Sequence, residues 1–600
     1  MSRSSCAACL ALSALAACGR ARVPGAPADD PAAVPGLLQV EMRGVSAANR
    51  AAAAAFGEVL ADEVVHDDEL EDVTGDALSG ELLELRVDPA REAAILSALR
   101  ARSEVIFAEP VVKLTALWTP NDPDYPRQWH LPAAGAEAAW DVARGAGVVV
   151  AILDTGVAHV DDLDQARLLP GRNFLDGSGN TADDNGHGTH VAGTVAQSTG
   201  NGRGTAGMAP EAELLPLKVL SASGGGDSAG ISRAIRYAAD RGARVINLSL
   251  GGGARSEAMA SAVAYARRKG ALVVCAAGNG GSRGVSFPAA YPGALAVSAV
   301  GPGGALAPYS SFGPEVRLAA PGGDKSRGEQ WGVLQQTIDP QTGDGVYRFF
   351  QGTSMATPHV AGAAALLYGV GVTSPGAVER LLADAARAPA TEAVRGLQGA
   401  EAEERYGAGL LDAGAALRRA TFDWGLARLA LALAGAWVAI RHARRLDQLR
   451  RSERVPAAFW AALVAGSGAL TMLAPLGLGR SRLLALLALT PAALPQRILG
   501  LPGTGAWATV AAWLGFSALV PFALALLARA AARSRPLRGP LGSVAAGLAF
   551  GWAGLLLHAA FARSVHLPWL PAALAPIWLG FHAAVAWLAG RGLFAREVVR

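Results

Sequence analysis

The sequence predicts an α/β domain over residues 121–420, a smaller α+β unit before it and an α-helical transmembrane region after it. Three observations carry this division. The apolar runs Val148 to Asp154 (VVVAILD) and Val245 to Leu250 (VINLSL) read as buried strands, and Val360 to Leu367 (VAGAAALL) reads as a helix. Residues 37–115 mix alternating stretches with helical ones. Beyond residue 420 the chain turns strongly apolar, with stretches long enough to cross a bilayer. At 600 residues the chain exceeds what one core can organise.

The first 17 residues read as a targeting segment. Arg3 supplies a thin positive region, Cys6 to Ala17 a short apolar core, and Leu15-Ala16-Ala17-Cys18 resembles a bacterial lipobox. The stretch is too short to span a bilayer. Cleavage before Cys18 with lipid attached to its thiol is the expectation; the alternative is an ordinary signal peptide cut after a small residue. With Cys18 lipidated, Cys275 is the other cysteine of the mature chain, which excludes an intramolecular disulfide framework. Cys275 lies in the apolar run Ala271 to Ala277 and reads as a buried thiol. Residues 18–36 form a Pro/Ala/Gly linker.

Within 37–115, Leu37 to Met42 and Glu81 to Val87 alternate as strands. Asn49 to Ala61 and Pro89 to Arg102 read as helices, the second with proline at its start. Val105 to Leu114 closes the unit, and the acidic run Asp67 to Asp72 is expected in a loop.

The chemistry lies in the central domain. In Gly352-Thr353-Ser354-Met355-Ala356-Thr357-Pro358-His359 a serine sits where a loop becomes a helix. The positive end of the helix dipole suits a nucleophile whose reaction develops negative charge. A serine also needs a base. Asn185-Gly186-His187-Gly188-Thr189-His190 offers one, and the strand Val148 to Asp154 ends in a carboxylate before Thr155-Gly156.

These motifs, DTG at Asp154, HGTHVAGT at His187 and GTSMATPH at Ser354, with Ala276-Ala277-Gly278-Asn279 between the last two, make residues 121–420 resemble the subtilisin-like serine proteases, the subtilases. The resemblance implies a mostly parallel sheet with helices on both faces. It implies that Ser354 attacks the scissile carbonyl, that His187 takes and returns the proton, and that Asp154 orients the imidazole. Asn279 and the Ser354 N–H would hold the oxyanion. His190 and His359 fall to packing. Ser249-Leu250-Gly251-Gly252 and the edge strand Ser223-Gly224-Gly225-Gly226 would flank an extended peptide, over a floor at Ala276 and Gly278. A structural calcium ion would take Gln128, Asp162 and Asn201 with the carbonyls of Arg203 and Thr205, Asp161 or Asp164 being alternatives to Asp162. The chemistry itself requires no cofactor. Residues 37–115 resemble the inhibitory, ferredoxin-like prodomain of the family.

Charge separates the two halves. Residues 421–600 carry 18 arginines against four carboxylates, and the first 420 carry 35 basic and 46 acidic residues. Of the 53 basic residues four are lysine, a compositional bias rather than a nucleic-acid signal. Apolar stretches fall at about 421–440, 457–478, 483–499, 505–528, 541–562 and 569–589. Six arginines over 441–454 and four over 529–538 ask for the cytoplasmic side, which leaves the central domain outside and an even number of crossings between the two loops. The proline-broken 483–499 segment is then the one that does not cross, giving five spans; six follow if one loop departs from the rule. His558, His566 and His582 fall in or near these spans without a ligand pattern. The expected protein is a membrane-anchored peptidase facing the periplasm or cell exterior, acting on protein or peptide substrates. The alternative is a non-catalytic peptide-binding sensor on the same fold.

Overall fold

All six residues of the strand Val149–Asp154 are buried, the pattern of a strand covered on both faces. Its neighbours follow suit. In the computed structural model seven strands run in the order Val316–Pro321, Ala294–Val300, Leu272–Ala276, Val245–Leu248, Val149–Asp154, Glu213–Lys218 and Arg167–Leu168, every pair parallel. The two-residue strand Arg172–Asn173 also pairs with Glu213–Lys218. Alternation divides the side chains between two cores. Val150 and Ile152 join the residues of helices His187–Ala196 and Thr353–Gly369. Val149, Ala151 and Leu153 join those of helices Ser228–Asp240 and Glu257–Arg268. The expected α/β layering with a parallel sheet is what forms. Cys275 is a free, fully buried thiol in the second core.

The structure describes residues 33–43, 47–71, 77–112, 119–163, 167–445, 457–467, 540–562 and 573–597, with isolated positions between. Cys18 and its signal, most of the linker, Asp164, His566 and the 483–499 segment lie outside these.

Residues 1–116 form one unit and 117–600 another. The first contains strand Ala33–Arg43, helix Ala47–Ala54, strands Glu58–Glu71 and Ala77–Arg86, helix Glu92–Arg100 and strand Val105–Val112. Ala77–Arg86 and Val105–Val112 pair antiparallel with the two edges of Ala33–Arg43, and Glu58–Glu71 pairs antiparallel with Ala77–Arg86, giving the sheet order Glu58–Glu71, Ala77–Arg86, Ala33–Arg43, Val105–Val112. Two expectations fail here. The first helix ends at Ala54 rather than Ala61, and the acidic run expected in a loop belongs, through Glu71, to a strand. That strand lies at the sheet edge, where charge is compatible with pairing and guards against association.

In the second unit the helix Ala413–Arg418 runs through a π turn, Arg419–Asp423, into Trp424–Arg445 without a break. Helices Ala457–Gly466, Pro540–Ala562 and Ala575–Glu597 gather around it, sharing buried Ala432, Phe459, Leu463 and Phe550.

Candidate active site

Asp154 ends its strand fully buried. Its Oδ1 accepts the Thr155 N–H at 2.8 Å and faces His187 Nδ1 at 2.7 Å. A carboxylate accepts, so Nδ1 carries the hydrogen and Nε2 of the neutral ring is left as the base. His187 opens its helix after Gly186, whose φ of 94° suits glycine. A Cβ on Gly188 would stand 2.1 Å from the Gly156 carbonyl, so this glycine lets the helix lie against the loop after Asp154.

Sequence reasoning missed Asp183, which holds these pieces together. Its Oδ1 accepts the Thr155 hydroxyl at 2.8 Å and the Asn185 and Gly186 N–H groups at 3.0 Å each. Its Oδ2 accepts the Thr189 N–H at 2.9 Å and hydroxyl at 2.6 Å. An acid just ahead of an apolar helix was the available signal. Burial opposes the charged form of His187, but the Asp154 carboxylate, with Asp183 behind it, outweighs burial and raises the ring above its ordinary pKa.

Ser354 lies in the first turn of Thr353–Gly369. Pro358, four residues on, has no N–H, so the Ser354 carbonyl drops out of the helix ladder. It accepts the Ser249 hydroxyl at 2.7 Å, and Asn247 supports that hydroxyl at 3.0 Å. The Ser354 hydroxyl in turn donates to the Ser249 carbonyl at 3.1 Å. Asn279 Oδ1 accepts both the N–H and the hydroxyl of Thr353, each at 2.9 Å. Because an N–H can only donate, the atom it meets is the amide oxygen, and the Asn279 NH₂ is left free to donate beside Ser354. Thr353 is the second residue that sequence reasoning missed.

A cleft of about 600 Å³ runs beside His187, lined by Ser249 to Gly253 on one side and Gly224 to Gly226 on the other. Ser223 to Gly226 is not the expected edge strand. It forms an exposed turn closed by Ser221 N–H to Gly225 O and Gly224 N–H to Ser221 O, both at 2.8 Å, with Gly224 at φ 79°. Ala276 is buried at the end of its strand, and Gly278 donates to the Thr353 hydroxyl at 3.3 Å. Neither lines this cleft.

Residues 145–409 match the model of the Subtilase family. Thermitase of Thermoactinomyces vulgaris is 41% identical over 252 residues, which are 42% of this chain and 85% of thermitase. The chain belongs to the subtilase family. A thermophilic serine proteinase of Bacillus sp. (strain AK1) is 43% identical over 46% of this chain and 66% of its own length. Halolysin of Haloferax mediterranei is 44% identical over 47% of this chain. The chain thus spans 66% and 53% of the lengths of those two relatives.

In this subtilase the residues expected around calcium are neighbours, but their donors are unevenly free. Gln128 is spent: its Oε1 accepts the Ala206 N–H at 2.7 Å and its NH₂ donates to Ala206 O and Leu334 O. Asn201 turns its NH₂ to Asp162 Oδ1 at 2.9 Å and its oxygen to the Arg203 N–H. Thr205 N–H donates to Asp162 Oδ2, and the Arg203 side chain reaches Asp161 rather than Asp162. The carboxylate sharing this loop with Asp162 is Asp122, which accepts the Gly200 and Asn201 N–H groups at 2.7 and 3.1 Å. Both are buried, at 2% and 0% exposure, with no ion pair among the described residues. Burial raises the pKa of each, and the Asp122 charge adds to the rise at Asp162. The loop offers two buried carboxylates, Asp122 and Asp162, each oxygen of which accepts an N–H, and no group of three or more His, Cys, Asp or Glu side chains gathers to hold a metal among the described residues.

Burial favours the neutral form of His130, His190 and His359. His359 Nδ1 donates to Met355 O, so its Nε2 accepts from His130 Nδ1 at 2.7 Å. Burial pushes His359 down to about 4 and His190 to about 3.

Proposed function

We propose that this subtilase is a serine endopeptidase using Asp154, His187 and Ser354. The observation that carries the reading is the 2.7 Å Asp154–His187 bond, which leaves Nε2 basic beside a glycine-walled cleft. The Ser354 hydroxyl rotates from Ser249 O to His187, gives up its proton and attacks the peptide carbonyl. The oxyanion takes hydrogen bonds from the Asn279 NH₂ and the Ser354 N–H. His187 then returns the proton to the leaving amine, and water repeats the cycle on the acyl-enzyme. Asp122 and Asp162 would be the carboxylates to hold a calcium ion, which would stabilise the fold without entering the chemistry.

The protein is anchored in a membrane with this domain outside the cytoplasm. Ala413–His442 and Ser543–Ala562 are long and apolar enough to cross a bilayer. Large apolar side chains stand exposed on the helices, Trp437 at 58%, Phe561 at 75% and Ile577 at 68%, as lipid contact requires. Residues 37–115 act as a self-inhibitory prodomain, a reading supported by the β-α-β-β-α-β order of the first unit and its ferredoxin-like strand order. Cys18 carries lipid.

Full-length protein should label irreversibly with a fluorophosphonate probe. The Ser354→Ala and His187→Ala variants should not, and Ser354→Ala should persist as uncut precursor. A wild type that folds but resists the probe would leave a peptide-binding scaffold.

A further inference from the structure

Two polar side chains are buried where the helices Trp424–Arg445 and Pro540–Ala562 meet the catalytic domain. Arg428 is 6% exposed and its Nε and Nη1 have no hydrogen-bond partner; His558 is 7% exposed and its Nδ1 has none. Both pack against one ring. The Arg428 guanidinium carbon lies 6.0 Å from the centre of Trp424, and the His558 ring lies 5.3 Å from it. A buried guanidinium without an anion costs several kcal/mol, so a counter-charge is required.

Among the described residues no carboxylate pairs with Arg428. After Asp423, which is exposed, the remaining acidic side chains are Asp447, Glu453 and Glu597. Asp447 and Glu453 follow the far end of Trp424–Arg445, a helix of 22 residues and about 33 Å. Glu597 closes Ala575–Glu597, whose opposite end packs through Ala575 and Leu579 against Leu555 and Ala559 beside His558. The segments between these helices contain no other Asp or Glu.

We propose that Arg428 and His558 bind the phosphate of an anionic phospholipid in the outer leaflet, at the foot of the catalytic domain. The inference rests on the membrane reading, which puts this end of the bundle at the outer surface. A guanidinium fork matches a phosphodiester in two-point contact, and a tryptophan belongs at the headgroup level. The apolar side chains at the same end, Phe561 at 75% and Leu574 at 46% exposure, favour a lipid over free phosphate, because acyl chains would cover them. Bound there, the lipid joins the helix continuous with the catalytic domain to the one whose Ala562 carbonyl accepts from Arg380.

The test titrates full-length protein in dodecyl maltoside with fluorescent phosphatidylglycerol, against dioleoylglycerol and inorganic phosphate as competitors. Wild type should bind phosphatidylglycerol, and Arg428→Gln about 10-fold more weakly, the loss of one charge-assisted bond. Arg428→Lys, which keeps the charge and controls for folding, should recover part of the affinity. Equal binding by Arg428→Gln, competition by dioleoylglycerol, or displacement by millimolar inorganic phosphate would each overturn the site. Carbonate washing separates the two readings: protein released from membranes refutes the anchoring itself, whereas retained protein indifferent to phosphatidylglycerol refutes only this inference.

Discussion

Replacing Thr353 by valine should slow turnover without weakening substrate binding. Thr353 is fully buried, and valine keeps its shape while deleting the hydroxyl. That hydroxyl donates to Asn279 Oδ1 at 2.9 Å and accepts the Gly278 N–H at 3.3 Å. Asn279 keeps one anchor, the Thr353 N–H, so its NH₂ still faces the oxyanion but is held less firmly. One neutral hydrogen bond contributes about 0.5–1.5 kcal/mol, or about 2- to 12-fold. The expected fall in kcat is therefore about 3- to 10-fold with KM nearly constant, well short of the roughly 100- to 1000-fold for loss of the Asn279 donor itself. Hydrolysis of a peptide p-nitroanilide measures both constants. The decisive arm is the double variant. If Thr353 acts through Asn279, Thr353→Val should have almost no effect in an Asn279→Ala background. A full effect there, or a change confined to KM, refutes the reasoning.

Because His187 must be neutral to accept a proton and its pKa is raised, kcat/KM should be full at high pH and be lost as pH is lowered through a midpoint above 6.5, where the ring protonates. Asp183→Asn removes one of the charges that raise it and should move that midpoint down; an unmoved midpoint would reduce Asp183 to a mechanical role. Calcium at about 100 times its dissociation constant should raise the thermal midpoint of chelator-treated protein by about 5–10 °C. Asp122→Asn should abolish the rise, and a wild type indifferent to calcium would remove the site. In a Cys275→Ala background, single cysteines at Gly479 and Gly503 should both react with an impermeant maleimide from outside, and reaction of one alone would mean that 483–499 crosses.

What could be read from the sequence was local. Asp154, His187 and Ser354 each stand at a junction between regular elements marked by their own neighbours: Gly156, Gly186 and Gly188, Pro358. The structure brings Asp154 and His187 into contact and sets Asn279 beside the Ser354 turn through Thr353. The supporting groups were not legible, because they act on backbone N–H groups brought close only by folding. Asp122 bonds Gly200 and Asn201, some 80 residues away, and Gln128 is claimed by Ala206 and Leu334. No periodicity records such pairings. The strand Glu58–Glu71 was hidden for another reason: its acidic stretch is tolerated at a sheet edge, and composition alone reads it as a loop.

The junction at residues 413–445 would constrain how a membrane-anchored peptidase meets its substrates. A flexible tether would let the catalytic domain sample distances from the bilayer that grow with linker length. Here the closing helix of the domain passes through Arg419–Asp423 into the apolar helix with no intervening loop. Thr421 turns its hydroxyl back to the Leu417 carbonyl at 2.8 Å, so even the π turn is internally bonded. Arg380, on the helix Pro375–Asp384, adds a second attachment by donating to Ala562 O at 2.8 Å. Two attachments on separate helices restrict swivelling as well as height. With this helix as the first span, the domain would stand at a height set by folded structure. A cleft so held would meet chains that pass at that height above the membrane more often than chains diffusing freely. On the membrane reading the charge division would work in the same direction, since the arginines of 441–454 would favour the cytoplasmic side for the lower end of the same helix.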